Sequence, residues 1–448
     1  MEIISAVKKL KKSRRAFFAT PAHAQGTVFP RVLKNLLKDG VYRSDFSEVD
    51  GLDDIRKPQG CILKSLEQAA KIYNSKKTFY LFNGSTSGIL ALMLSTLSKD
   101  DKVLVARNCH ISVYNGLTLT GAKPVWIMPQ YNKEFGVFSD INIEDIKFAA
   151  EKNPDAKVLI ITSPTYEGIC SDIKSISEYC KSKNIIFIVD EAHGALFNFS
   201  KQLPTPAILQ GADASVQSLH KNAPALNQCA LLHLSETALI SEKILQKNLN
   251  IINSTSPSFI LLASIEASIN WLHSAKGSYE IEKLLKFIAD FKKKLPNIIF
   301  LENNDPSKLF FRVGGYSGEE LSAYLDSFNI EDELYSAKGV LCLCGIGTSA
   351  KKLQKLKSAL QKIPLKTSKN FMEYTPKLPK QLLTPYETMD YKHKKVSPKE
   401  AVGKISAEVL VPYPPGIPVL LEGEVVEERH LQFLNQENGI NIVDKEDL

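Results

Sequence analysis

The chain has 448 residues, 44% hydrophobic and 23% charged, with a formal net charge of +7. This is ordinary globular composition, with chain enough for two or three domains and a sizeable core. The charge is modest and spread out apart from Lys8 to Arg15, which argues against a nucleic-acid-binding protein, and no apolar run reaches the roughly 18 residues of a membrane span.

The basic start, Met1 to Arg15, lacks an uninterrupted hydrophobic core and so is not a secretory signal. With Ile3, Ile4, Val7 and Leu10 on one face it reads as an amphipathic helix. From about residue 60 strand and helix signals alternate. Cys61 to Tyr73 has a helical period, and Thr78 to Phe82 is a short apolar strand running into Asn83-Gly84-Ser85-Thr86-Ser87-Gly88. Ile89 to Leu97 reads as a buried helix, Lys102 to Ala106 and Pro124 to Met128 as strands, and Ile143 to Glu151 as a helix. Lys157 to Thr162 is a strand, Asp172 to Lys183 a helix with Ile173, Ile176 and Tyr179 inward, and Ile185 to Val189 a strand ending in Asp190-Glu191-Ala192-His193. Ala214 to Gln217 is strand-like and precedes Ser218-Leu219-His220-Lys221. Ser258 to His273 and Glu280 to Lys294 read as helices joining a large domain to a smaller one. Beyond about residue 300, Leu309 to Val313 and Val340 to Cys344 look like strands, and Ser317 to Ser327 and Ala350 to Lys362 like helices. Pro376 to Pro398 reads as an extended connection.

Strands apolar along their whole length, separated by amphipathic helices, imply an α/β fold with a parallel sheet covered on both faces. Ligands bind such sheets beyond the carboxyl ends of the strands, and the polar clusters fall there: after Phe82, Ala106, Thr162 and Val189. The seven cysteines include no CxxC pair, and neither they nor the eight histidines have zinc-ligand spacing. Their apolar neighbours suggest reduced, mostly buried thiols in a cytosolic protein. Cys342 and Cys344 would share one face of a strand.

These clusters contain what pyridoxal phosphate (PLP) requires: a lysine, a carboxylate, a phosphate cradle and a flat group over the ring. Lys221 is the candidate Schiff-base lysine. Asp190, about one helix–strand unit earlier and at a strand end, is the carboxylate that would keep the pyridine nitrogen protonated. Taken alone, Asp190 is better explained as a helix N-cap. Gly84 to Gly88, between strand and helix, offers backbone N–H groups and hydroxyls to a phosphate, with Ser218 and His220 adding contacts. His110 is the candidate flat group, although a lone histidine is more often structural.

In order along the chain, Pro21-Ala22-His23-Ala24-Gln25-Gly26, Gly51-Leu52-Asp53-Asp54, Asn83-Gly84-Ser85-Thr86-Ser87 and Arg107-Asn108-Cys109-His110 resemble motifs of the Orn/Lys/Arg decarboxylases. So do Thr162-Ser163-Pro164-Thr165-Tyr166-Glu167-Gly168, Asp190-Glu191-Ala192-His193, Gln217 to Lys221, Ser254 to Ser258 and the closing Ala407-Glu408 to Pro418. The resemblance covers nearly the whole chain. Ala22 stands where that family usually has glycine, and Ile111 where it commonly has lysine. The resemblance implies a PLP-dependent type I (aspartate-aminotransferase) fold: a mostly parallel, seven-stranded-type sheet with a smaller α+β C-terminal part. It divides the chain into an N-terminal helical segment (1–29), a large PLP-binding domain (30–295), a small α+β domain (296–375) and a decarboxylase-type C-terminal segment (376–448).

The resemblance also implies roles. Lys221 carries PLP, Asp190 holds the pyridine nitrogen, and His110 stacks on the ring. Ser85, Thr86, Ser87, Ser218 and His220 surround the phosphate, and Ala192 and His193 lie beside the cofactor. Thr255 and Ser256 reach the neighbouring subunit's site, which makes the enzyme a homodimer. Glu408 and Tyr413 shape the substrate entrance, and His220 or Lys221 returns the proton to Cα. The expected reaction is decarboxylation of arginine or lysine, ahead of ornithine, to agmatine, cadaverine or putrescine in cytoplasmic polyamine biosynthesis. The larger members begin with a wing domain that builds decamers; this chain starts almost at the Pro-x-His motif, so a wingless dimer is expected. The rivals are another type I PLP reaction, such as aminotransfer with Arg312 as the carboxylate-binding arginine, and a PLP-binding paralogue without catalysis.

Overall fold

The computed structural model describes residues 16–18, 22–23, 27–38, 41–46, 52–364, 366, 376–411, 418–434 and 439–444. The expected amphipathic helix at the start, and Tyr413, lie outside the described residues.

A seven-stranded sheet carries the large domain. Its strands are β1 (Lys77–Leu81), β2 (Lys102–Ala106), β3 (Lys123–Ile127), β4 (Val158–Thr162), β5 (Ile186–Asp190), β6 (Ala214–Ser218) and β7 (Ala230–Leu234). Their spatial order is β1-β7-β6-β5-β4-β2-β3, all parallel except β7, which runs antiparallel to both its neighbours. Alternation sends successive side chains to opposite faces. Val103, Val105, Val158, Ile160 and Ile188 join one core, and Leu104, Ala106, Leu159, Ile161, Phe187 and Val189 the other. Both faces are covered, which is why these strands read as unbroken apolar runs.

Four helices position the strand ends. Helix α1 (Cys61–Tyr73) buries Ile62, Leu66, Ala69 and Tyr73 on one stripe. It is entered through Asp53, whose carboxylate accepts from the backbone N–H groups of Asp54, Gln59, Gly60, Ile62 and Leu63. The Gly-Leu-Asp-Asp motif is thus a helix-start device. Helix α2 (Gly84–Thr96) begins five residues before the expected Ile89, so Gly84 to Gly88 form its first turn and not a loop ahead of it. Gly88 is needed there, because a Cβ would stand 2.7 Å from Leu81 Cδ1 and 2.9 Å from Val216 Cγ1. Helix α3 (Ile111–Thr120) follows β2, and the single-turn α4 (Leu219–Asn222) follows β6. The β5–β6 crossover holds only two 3₁₀ turns, Phe197–Phe199 and Ala207–Gln210, where one helix–strand unit was expected.

The small domain is an antiparallel four-stranded sheet of β8 (Ile299–Phe300), β9 (Lys308–Arg312), β10 (Leu334–Tyr335) and β11 (Val340–Leu343), in the order β8-β9-β11-β10. Helix α5 (Ala275–Lys293) spans the boundary: Ile281 and Leu285 pack into the large domain, and Leu284, Ile288 and Phe291 into the small one. A division at residue 295 therefore follows a helix shared by two cores. The described part of the N-terminal segment is not helical. Ala16–Phe17 is a strand paired in parallel with Ile330–Glu331 of the small domain, and Ala16 and Phe18 are buried in its core.

The C-terminal part contains β12 (His393–Val396) paired antiparallel with β13 (Ile440–Val443). The expected extended stretch thus holds a strand. His393, Lys394 and Lys395 are exposed, so the apolar alternation that marks a strand is missing from the sequence. This part docks on the large domain through a buried ion pair, Arg107 Nη2 to Glu424 Oε2 at 2.9 Å, and through Trp126 Nε1 donating to Gln381 Oε1 at 2.8 Å. Tyr114 OH is a second partner of Arg107. Among the described residues no helix is long and apolar enough to cross a membrane.

Candidate active site

The loops after β2, β4, β5 and β6 converge with the first turn of α2 at one edge of the sheet. Lys221, on α4, is half-buried, and its Nζ lies 2.8 Å from His193 Nε2. The amine also stands over the Tyr166 ring at 5.2 Å, and the Tyr166 and His193 rings are 4.6 Å apart. Burial lowers the Lys221 amine below the ordinary lysine range; Asp190 and Glu333 pull it back up, and Lys308 pushes it further down. Burial, then the neighbouring Lys221 and Lys308 ammonium groups, hold His193 well below the usual histidine value. A neutral His193 therefore accepts from the Lys221 ammonium. Its buried Nδ1 has no partner among the described residues.

Asp190 closes β5 and is buried, with Oδ1 accepting from Ala192 N at 3.1 Å. It caps a turn, as an aspartate at a strand end would, yet its charge acts on both Lys221 and His110. His110 is half-buried and is the N-cap of α3, with Nδ1 accepting from Ser112 N at 3.2 Å. Burial lowers it, Asp190 raises it and Lys221 lowers it again. His110, Asp190 and Lys221 thus share one electrostatic environment.

Ser218 Oγ donates to Ser85 Oγ at 2.9 Å, which joins the end of β6 to the first turn of α2. Ser85 and Thr86 are half-buried there. Gly84 has φ +73° and open space where a Cβ would be, so the turn presents backbone rather than side chain. Ser87 faces inward, its hydroxyl donating to the Gly84 carbonyl at 2.8 Å. His220 lies with Nδ1 3.2 Å from the Cys229 carbonyl, and burial pushes it down to about 4. The imidazole 2.8 Å from the Lys221 amine is that of His193, whereas the His220 ring, expected with Lys221 as a proton donor, meets the Cys229 carbonyl.

Thr255 and Ser256 are exposed. Glu408 sits in the C-terminal part, where its Oε2 accepts from Asn441 Nδ2 at 2.5 Å. Arg312, the aminotransferase-type candidate, donates through Nη2 to Glu134 Oε1 at 2.5 Å. Sequence reasoning missed Tyr166, Asn222, Lys308 and Glu333. Tyr166 stood in a quoted motif, and Asn222 directly follows Lys221. Lys308 and Glu333 lie in a region with no motif at all.

Lysine, buried carboxylate, half-buried imidazole and a hydroxyl-bearing helix start make a donor set that fits PLP. The Orn/Lys/Arg decarboxylase major-domain profile matches residues 3–310 and the C-terminal-domain profile residues 367–441. The arginine decarboxylase of Bacillus subtilis is 30% identical over 470 residues, covering 99% of this chain and 95% of that one. The lysine decarboxylase LdcA of Pseudomonas aeruginosa is 23% identical over 66% of this chain and 42% of its own. The lysine decarboxylase LdcF of Francisella novicida superposes with a TM-score of 0.79 at 18% identity, covering 97% of this chain and 80% of that one. The fold is the type I fold of PLP enzymes, and the chain belongs to the Orn/Lys/Arg decarboxylase family of lyases.

Proposed function

We propose that this protein removes the α-carboxylate of a basic amino acid, arginine first and lysine second, with PLP held on Lys221. The observation that carries the reading is the Lys221 amine, 2.8 Å from a neutral His193 and within the field of Asp190, which also acts on His110. Asp190 would hold the pyridine nitrogen, His110 the ring face, and Ser85, Thr86 and Ser218 the phosphate. PLP bound there supplies an electron sink for bond cleavage at Cα. Lys221 and His193 share a proton beside that position, and a neutral imidazole is suited to take it and return it. Glu333 places a carboxylate charge in reach of Lys221 and is a candidate partner for the cationic end of the substrate. Arginine is placed first because the Bacillus subtilis relative named arginine decarboxylase is 30% identical over 99% of the chain, whereas the relatives named lysine decarboxylase from Pseudomonas aeruginosa and Escherichia coli are 23% and 20% identical.

The wider reading is a cytoplasmic homodimer producing agmatine for polyamine synthesis, with exposed Thr255 and Ser256 offered to the partner's site and Glu408 and Tyr413 at the entrance. Its test is a panel of arginine, lysine and ornithine with the PLP-loaded protein, measuring carbon dioxide and amine. Agmatine is the expected main product. Release from none of the three, with PLP bound, refutes the decarboxylase reading. Lys221→Ala should lose both the bound-cofactor absorbance and turnover.

A further inference from the structure

One fully buried ammonium near the site has no part in the reaction as read so far. Lys308 opens β9 of the small domain and is 0% exposed. A buried ammonium is strongly unfavourable unless it is paired and hydrogen-bonded. Three acceptors meet it: Asp305 Oδ2 at 2.6 Å, Ser307 Oγ at 3.1 Å and the His193 carbonyl at 3.3 Å. The last belongs to the large domain, and to the residue whose imidazole touches Lys221. Asn222 Nδ2 donates to the same carbonyl at 2.9 Å, so both lone pairs of the His193 carbonyl are engaged.

The same small-domain turn holds a second loop. Asn304 N and Asp305 N both donate to the Gly168 carbonyl, at 3.0 and 2.9 Å. Gly168 has φ +88°, and a Cβ there would stand 2.9 Å from both Asp305 O and Lys308 Cγ. That loop carries Tyr166, which packs on His193 and under the Lys221 amine. The Asp305–Lys308 turn therefore grips the two large-domain loops that meet at Lys221.

We propose that Lys308 is a positioning residue through which the small domain fixes His193 against Lys221 and sets the protonation of the Lys221 nitrogen. The inference rests on the reading of Lys221 as the cofactor lysine. The groups facing Lys221 are Asp190 from β5, His193 and Tyr166 from the gripped loops, His110 from the α3 start, His220 beside it on α4, and Glu333 and Lys308 from the small domain. The two carboxylates favour a charged Lys221 nitrogen, and Lys308 opposes it. Removing the Lys308 charge therefore raises the pH at which that nitrogen loses its proton.

The test compares wild type with Lys308→Met and with Lys308→Met/Asp305→Asn, whose neutral side chains avoid a bare buried carboxylate. One probe is the pH midpoint of the bound-PLP absorbance. The other is the pH dependence of Lys221 labelling by an amine reagent in the cofactor-free protein, read by mass spectrometry. Both midpoints should rise in Lys308→Met by about half a pH unit or more, a change of about threefold in proton affinity, and by less in the double variant, which also removes the Asp305 charge. A purely structural Lys308 would lower stability and leave the midpoints where they are; folded variants with unmoved midpoints overturn the proposal. If the wild type takes up no PLP on Lys221, the cofactor reading fails instead, and the labelling arm still decides the role of Lys308.

Discussion

Replacing Glu424 with alanine should undock the C-terminal part, and the cost follows from what the carboxylate touches. The Arg107 side chain is 4% exposed and that of Glu424 0%, with Nη2 and Oε2 2.9 Å apart. Oε2 also accepts from Leu421 N at 2.8 Å. Without the carboxylate, Arg107 is left buried with the Tyr114 hydroxyl and the Trp126 ring face, 5.1 Å away, and no counter-charge from Glu424. Breaking one side of a buried pair costs about 3–5 kcal/mol. Glu424→Gln keeps an acceptor and should lose less, about 1–3 kcal/mol. Arg107→Met/Glu424→Met removes both charges and should be closer to wild type than either single change. Trp126 is the natural reporter, since it stacks on Arg107 and donates to Gln381 across the same junction. The chain has two tryptophans, so a Trp271→Phe background isolates its emission during a urea titration. An E424A variant within about 1 kcal/mol of its parent, or a double variant worse than both singles, would refute the reasoning.

Burial raises the Asp53 carboxyl, but the backbone N–H groups of Gln59, Gly60, Leu63 and Asp54 outweigh it, and its pKa falls below the ordinary aspartate value of 3.8. Its contribution is therefore present above the ordinary carboxylate range and is lost as pH falls through the lowered value. Asp53→Asn should cost about 1–2 kcal/mol in urea unfolding at neutral pH, a deficit that shrinks in acid. Glu191 has the opposite sign. Burial pushes it up to about 8 against hydrogen bonds from Gln217 and Ala207, and the buried Gln217 Oε1 is without a partner among the described residues and is placed to accept a Glu191 proton once the amide is turned. The stability it contributes is complete below the ordinary value of 4.5 and is lost as pH rises toward about 8. Glu191→Gln should flatten that decline, which is on the order of a few kcal/mol, and an unchanged pH profile would count against a protonated Glu191. Gly168→Ala should cost about 1–3 kcal/mol in the same unfolding assay, through φ +88° and the contacts at Asp305 and Lys308.

The sheet was legible because its strands are covered on both faces, which leaves unbroken apolar runs such as Val103 to Ala106 and Val158 to Ile161. The site residues at its edge were legible for a related reason: a polar cluster after such a run has nowhere to go but the strand end. Asp190 closes a strand, and Ser85, His110, His193 and Lys221 each lie three or four residues beyond the end of one. The start of α2 was misplaced because Gly and Ser read as a turn, whereas Gly88 is there to let the helix lie against Leu81 and Val216. Strand β12 was hidden because Lys394 and Lys395 face solvent.

What the sequence could not reveal has one physical character. His193 and His220 are both histidines beside motif residues, and only the path of the chain decides which ring meets Lys221. The β5 loop carries His193 across to the amine, while α4 turns His220 back toward the Cys229 carbonyl at the start of β7. The residues that hold these loops come from elsewhere in the sequence: Lys308 and Asp305 from the small domain, and Glu424 from the C-terminal part. Each is a charged residue buried beside a counter-charge: Asp305 and Lys308 neutralise each other three residues apart, while Glu424 is neutralised by Arg107, 317 residues away. The sheet offers loops with the right chemistry, and buried charges from two other parts of the chain hold the Tyr166, His193 and His110 loops in place. Changes at Lys308 and at Glu424 should therefore act on different loops, His193 and Tyr166 in the first case and the segment from Arg107 to His110 in the second. Their effects on cofactor retention should add, since independent supports of one site share no partner; strong non-additivity would mean that the two supports are one.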